Sequence, residues 1–265
     1  MSDNPQRSSG GGAGALSSTR ATMVVRFRVV GPAAMLSHAE MARVLQRACA
    51  RADLPVRYSE GFNPHPRLSL PLPRPVGVES EDELLVVRLC EDPAAATAGD
   101  RARAQANMMQ ALAAQLPEGV EALAATLAAS NASFTPRSAA YVLPVRDGQN
   151  PGLAERIAGV MASEHCTIER ASGDGKTARN VDVRPFLLSI RLESDKLIVE
   201  HTTGDAGSIR IDEILRLLDL RMEDLAGSIR RVNVVWETKK IQNAVQQPCS
   251  DGKAEGIEDA TRDVD

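Results

Sequence analysis

Five prolines fall within residues 64–75, Pro64, Pro66, Pro71, Pro73 and Pro75, and they constrain this chain more than any other feature. Each fixes φ and removes an N–H donor, so the stretch can neither continue as a helix nor sit in the middle of a sheet. Gly61 adds a position free to adopt the left-handed conformation. Most connections between elements are short, and ordered loops on a rigid scaffold commonly carry binding groups. The segment Tyr58–Pro75 therefore reads as a stiff functional loop, or else as a plug that packs Phe62 and Leu68 into the core.

The flanking sequence supplies the scaffold. Met23, Val25, Phe27 and Val29 alternate with Val24, Arg26, Arg28 and Val30, the period of a half-buried strand. Ser37-His-Ala-Glu40 has the spacing of a capping box and predicts a helix to about Arg51, with Met41, Leu45 and Ala48 inward. Extended chain near Arg67–Arg74, a strand at Leu84–Cys90, a helix at Ala102–Leu116 and a strand at Gly119–Ala128 follow. A second round begins with the strand face Tyr141, Leu143, Val145 and continues with a helix near Pro151–Met161 and a strand near Cys166–Arg170. Strands at Phe186–Leu192 and Leu197–His201 pair across the turn Glu193–Lys196, and a helix at Ile211–Leu218 leads to a last strand at Arg231–Trp236. The expected fold is α+β: two consecutive ferredoxin-like βαββαβ subdomains, residues 21–131 and 138–238, with a boundary near Asn131–Ser138. Gly/Ser-rich residues 1–20 and acidic residues 239–265 read as disordered ends.

Composition narrows the class. Aromatic residues make up only 3% of the chain, so the core must be built mainly of Ala, Val, Leu and Ile. The formal net charge of −4 argues against generic polyanion binding, yet it is unevenly spread. Nine arginines face four carboxylates between Arg20 and Ser80, whereas the tail from Cys249 onward has six acids and two bases. Cys49, Cys90, Cys166 and Cys249 form no CxxC pair, which argues against a zinc ribbon or iron–sulfur cradle and for reduced thiols. Neither a secretory signal nor a membrane-length apolar run is visible, so a soluble, cytoplasmic chain with no membrane partner is expected.

Several groups are candidates for chemistry. His65 lies between two prolines and His38 in the first turn of the capped helix. With Glu40, Glu60 or Glu79 they could form an acid–base or metal site, although no HxH, HxxxH or HExxH spacing supports one. Arg43, Arg47 and Arg51 stack on one helix face at i, i+4, i+8. Together with Arg26, Arg28, Arg57, Arg67 and Arg74 they could grip phosphate groups, or simply form a solvated face. The aromatic platform of an RNA-recognition motif is absent from the first strand, so RNA would be held by its backbone and shape. Gly173-Asp-Gly-Lys-Thr177 fails as a phosphate loop, because Arg170 stands where its first glycine belongs.

At this point the residues resemble a known family. Ser37-His38, Arg47-Ala48, Leu54-Pro55, Tyr58-Ser-Glu-Gly-Phe-Asn-Pro-His-Pro-Arg67, Gly77-Val-Glu-Ser80 and Asn180-Val-Asp-Val-Arg-Pro185 are similar to signatures of the radical-SAM-linked family, over about residues 22–237. That family is a bacterial domain of unknown function, found alone or fused after a radical SAM enzyme. The CxxxCxxC motif of the enzymes is missing here, so the resemblance implies a stand-alone accessory chain. No cofactor is expected in this chain; the iron–sulfur cluster and S-adenosylmethionine would belong to a separately encoded radical SAM partner, in an RNA- or ribosome-related setting. The expected binding surface comprises Ser37, His38, Arg43, Arg47, Tyr58, Ser59, Gly61, Phe62, Asn63, His65, Arg67, Glu79, Ser80, Asp182 and Arg184. The first expectation is a non-catalytic adaptor that positions an RNA-like anion for the partner. The alternative is an enzyme in its own right, with His38, His65 and a carboxylate such as Glu60 as its site.

Overall fold

The computed structural model describes residues 20–93, 97–146, 152–171, 178–204 and 207–240. The expected disordered ends, apart from residues 20, 239 and 240, and the turn Gly173–Thr177 lie outside these residues. The first half runs β1 (Ala21–Val29), α1 (His38–Arg51), β2 (Leu68–Ser69), β3 (Glu79–Arg88), α2 (Ala98–Ala113) and β4 (Val120–Ala129). The second runs β5 (Ala132–Pro144), α3 (Leu153–Ala162), β6 (Thr167–Ala171), β7 (Ala178–Asp182), β8 (Leu187–Glu193), β9 (Lys196–Thr202), α4 (Ile211–Leu217) and β10 (Arg230–Lys240).

One large mixed sheet of eight strands carries the fold, in the order β4-β1-β3-β10-β5-β9-β8, with β2 paired to β3. The halves meet where β10 runs parallel to β3 at Arg230–Glu79 and Arg231–Ser80. The separate β6-β7 hairpin adds a strand, β7, that the sequence did not announce. Residues 131–138, expected as a boundary, mostly lie inside β5, whose long ladder with β10 extends from Ala132 to Val142.

Each half has its own core. Alternate residues of β1 pack with Met41, Leu45 and Ala48 of α1 and Leu112 of α2. Leu143, Leu197 and Val199 of the second half pack with Ile214 and Leu218. A third cluster explains why β1 is buried on both faces at Val24: Phe134 and Trp236 fold back onto Val24, Leu84 and Val86. Beside Trp236 the β10 ladder shifts register around Val232–Trp236, and Asn233 takes a φ of 52°. Such bulges bend a strand, and Asn tolerates the left-handed region better than most residues.

The proline-rich segment is held by two buried arginines. Arg74 donates from Nη1 to the carbonyls of Ala34 and Val78, both at 2.6 Å, and from Nη2 to Leu36 at 3.0 Å. Arg231 donates to the carbonyls of Pro73 at 2.9 Å and Leu72 at 3.2 Å. A stretch poor in N–H donors still presents carbonyl acceptors, and guanidinium forks satisfy several at once.

Candidate functional site

The family-like segment forms an outward hairpin. Arg67 N–H donates to the Arg57 carbonyl at 2.7 Å, and Ser59 N–H donates to the His65 carbonyl at 2.8 Å. Ser59 Oγ accepts from His65 N–H at 2.9 Å. Arg57 N–H donates to Arg88 O and Arg88 N–H to Arg67 O, so the hairpin is anchored on the end of β3. Gly61 turns the tip with a φ of 122°, a conformation costly for any residue bearing a Cβ.

The alternative reading as a plug holds for Leu68, which packs against the core, but not for Phe62, which is 106% exposed at the tip. Tyr58 is 49% exposed, and Glu60, Asn63, His65 and Arg67 also face outward. The carboxylate of Glu60 lies 3.9 Å from Arg57.

Other expected site residues serve the scaffold. Ser37 Oγ accepts from Glu40 N–H at 3.3 Å while the Glu40 carboxylate accepts from Ser37 N–H at 2.9 Å, completing the capping box. That bonding to Ser37 holds the Glu40 carboxyl below its ordinary pKa. Glu79 accepts from Gly31 N–H, and the buried Ser80 accepts from Asp82 N–H. Asp182 is spent on His165 and on the N–H groups of Cys166 and Arg184. Arg184 donates to the carbonyls of Met161, Ser163 and Leu187.

The arginine surface is smaller than the sequence suggested. Arg26 pairs with Asp82 and Arg28 with Glu121, and Arg74 is buried. Arg43, Arg47, Arg51 and Arg67 remain exposed, with no ion pair among the described residues. Arg47 and Arg51 border an open groove of about 400 Å³ against Gln115–Pro117.

His38 and His65 are not joined by a hydrogen bond or an ion pair among the described residues. His38 lines a narrow crevice with Arg74 and Glu83, whereas His65 belongs to the outward hairpin. No group of three His, Cys, Asp or Glu suited to a metal ion occurs among the described residues.

A further concavity lies elsewhere. A pocket of about 560 Å³ opens between the Pro71–Pro75 segment and the strands β5 and β9. Tyr141, His201 and Arg231 line it, and all three are buried. Arg231 pairs with Glu83 at 2.5 Å. The Tyr141 and His201 rings stack at 4.7 Å, with an interplanar angle of 11°. Burial pushes the His201 pKa down to about 4, the Thr202 carbonyl opposing and the Arg231 charge reinforcing the shift. Burial likewise raises the Tyr141 phenol. His201 Nε2, Thr203 Oγ1 and Arg231 Nε are buried without a protein hydrogen-bond partner.

Sequence reasoning placed Tyr141 and His201 on strands and missed this site. The signal was present: Leu197, Val199 and His201 form one inward row, and a histidine in an apolar row calls for a reason.

Residues 22–211 match the family described as an uncharacterized protein conserved in bacteria, DUF2344. The chain belongs to that family. The matched region spans the hairpin, His201 and Thr203, and ends before Arg231. No curated protein matches the chain. Among solved structures, the chain is similar to one in the crystal structure of a Cbf5-Nop10-Gar1 complex, at 14% identity and a TM-score of 0.37. The match covers 80% of this chain but 48% of that one, about half its length, and a likeness this low carries no functional argument.

Proposed function

We propose that this member of the DUF2344 family is a non-catalytic accessory protein that docks on a partner through the hairpin Arg57–Arg67. The full exposure of Phe62 at the tip carries the reading. Single exposed apolar residues are common, but this one crowns a hairpin already fixed by prolines and internal hydrogen bonds. Little entropy remains to be lost on binding, and aromatic side chains dominate interface energetics. The resemblance of this segment makes the partner a radical SAM enzyme in the bacterial cytoplasm, carrying the iron–sulfur cluster and S-adenosylmethionine itself. Among the described residues no helix is long and apolar enough to cross a membrane.

The second element of the reading is an RNA-like anion on the α1 face of Arg43, Arg47 and Arg51. We read the scaffold as two ferredoxin-like units, a reading supported by the matching strand orders β4-β1-β3-β2 and β10-β5-β9-β8.

The test is capture of the radical SAM protein from the same cell by the full chain. Phe62→Ala should leave the melting temperature unchanged and weaken capture by roughly tenfold or more. Equal capture by this variant would remove the docking role. For the anion, affinity for structured RNA should fall with salt, and Arg47→Ala should lower the log–log slope by about 0.7–0.9. Catalysis by His38 and His65 has less support, since they belong to different surroundings.

A further inference from the structure

The pocket between the Pro71–Pro75 segment and β5/β9 has the chemistry of a ligand site, independent of the docking hairpin. Its volume, about 560 Å³, falls within the range of small-molecule sites, roughly 300–1,000 Å³. Buried polar atoms in folded proteins are nearly always partnered, so three orphaned atoms in its wall, on the lining residues His201, Thr203 and Arg231, need an explanation.

The hydrogen-bond roles of that wall can be assigned. His201 Nδ1 is 3.0 Å from the Thr202 carbonyl, which can only accept, and 3.1 Å from Ser208 Oγ, which can accept there while donating to the Ile209 carbonyl at 3.3 Å. Nδ1 therefore carries the proton of the neutral ring, and Nε2 presents a lone pair. Arg231 Nε can only donate, and the Thr203 hydroxyl can do either. The positive charge of Arg231 is matched by Glu83 at 2.5 Å. A carboxylate or phosphate would meet the Nε2 lone pair without gaining an unmatched cation. The buried end of a ligand must therefore be neutral and offer a donor beside an acceptor.

An amide-like edge has that pattern, and nucleobase edges carry it on a flat ring. Pro71, Phe134 and Pro136 supply the apolar walls that such a ring needs. Arg210, exposed and also lining the pocket, is a cation within reach of solvent, where a phosphate would remain hydrated.

We propose that this pocket binds a small nucleobase-bearing molecule, with its base edge against His201 and Thr203 and any phosphate toward Arg210. The test is calorimetric titration of the full chain with adenosine, guanosine, cytidine, uridine and their 5′-monophosphates, with inorganic phosphate as the anion alone. At least one nucleotide should bind with a Kd below about 1 mM. Thr203→Val keeps the side-chain shape and should weaken that binding about tenfold. His201→Phe keeps the stack on Tyr141 and should do the same; Thr203→Val decides the matter if this variant does not fold. Arg210→Ala should weaken the monophosphate and spare the nucleoside, and Phe62→Ala should leave both unchanged. Absence of binding by all eight compounds would overturn the proposal. So would binding indifferent to Thr203→Val, or phosphate alone competing as well as the nucleotide.

Discussion

At the residue scale, His201 links the interior of the protein to pH. Its imidazole is held at a pKa of about 4 against an ordinary 6.5, mainly because burial disfavours the charged ring. Between those values the unfolded chain binds a proton that the folded chain does not. Stability is therefore complete above pH 6.5 and is lost as pH falls toward 4, by about 3 kcal/mol in all. Chemical denaturation of the wild type and His201→Phe across that interval checks this: the variant should lose less stability on acidification. Parallel curves would show that His201 is not the titrating group. Cys49 is also shifted, its buried thiol pushed up to about 11, which makes it a packing residue at neutral pH.

At the scale of elements, the capping box at α1 was legible because Ser and Glu three residues apart satisfy each other's backbone donors locally. Ser37→Ala should cost about 1 kcal/mol without changing capture of a partner, measurable as a shift in urea midpoint at constant m-value. An unchanged midpoint would mean the box does not stabilise the fold. The start of β3 was illegible for the opposite reason. The expected strand begins only at Leu84, after the acidic run Glu79-Ser-Glu-Asp-Glu83, yet Asp82 meets Arg26 of β1, and Glu81 and Glu83 meet Arg230 and Arg231 of β10. Only pairing with strands distant in sequence turns that acidic run into a strand. β7, Ala178–Asp182, was missed because it has a single aliphatic side chain larger than alanine and shows no alternation.

Across the whole molecule, the two halves are joined by the short parallel pairing of β3 with β10 and by the buried Arg231–Glu83 pair, aided by Phe134 and Trp236 on the outer face of β1 and β3. Removing one member of a buried pair leaves the other charged and unmatched. Glu83→Ala should therefore cost about 3–5 kcal/mol. Because Arg231 also holds the Leu72 and Pro73 carbonyls, the loss should reach both halves. Unfolding followed by Trp236 fluorescence and by far-ultraviolet circular dichroism should shift together. Two separated transitions, with only one displaced, would show that the pair does not couple the halves.

The sequence by itself determined what depends on neighbours along the chain. Alternation in β1 and β9, the cap of α1, the turn at Glu193–Lys196 and the stiffness of the proline-rich loop are all local consequences of side-chain spacing and backbone freedom. The tertiary structure alone decided which loop residues face outward, which arginines are spent on carboxylates and carbonyls, and where the pocket lies. Phe62 could have filled a core or crowned a hairpin, since its hydrophobicity favours burial but the prolines around it fix the turn first. The pocket needs Pro71–Pro75, β5, β9 and Arg231 brought together by the continuous sheet, and no local pattern encodes that meeting.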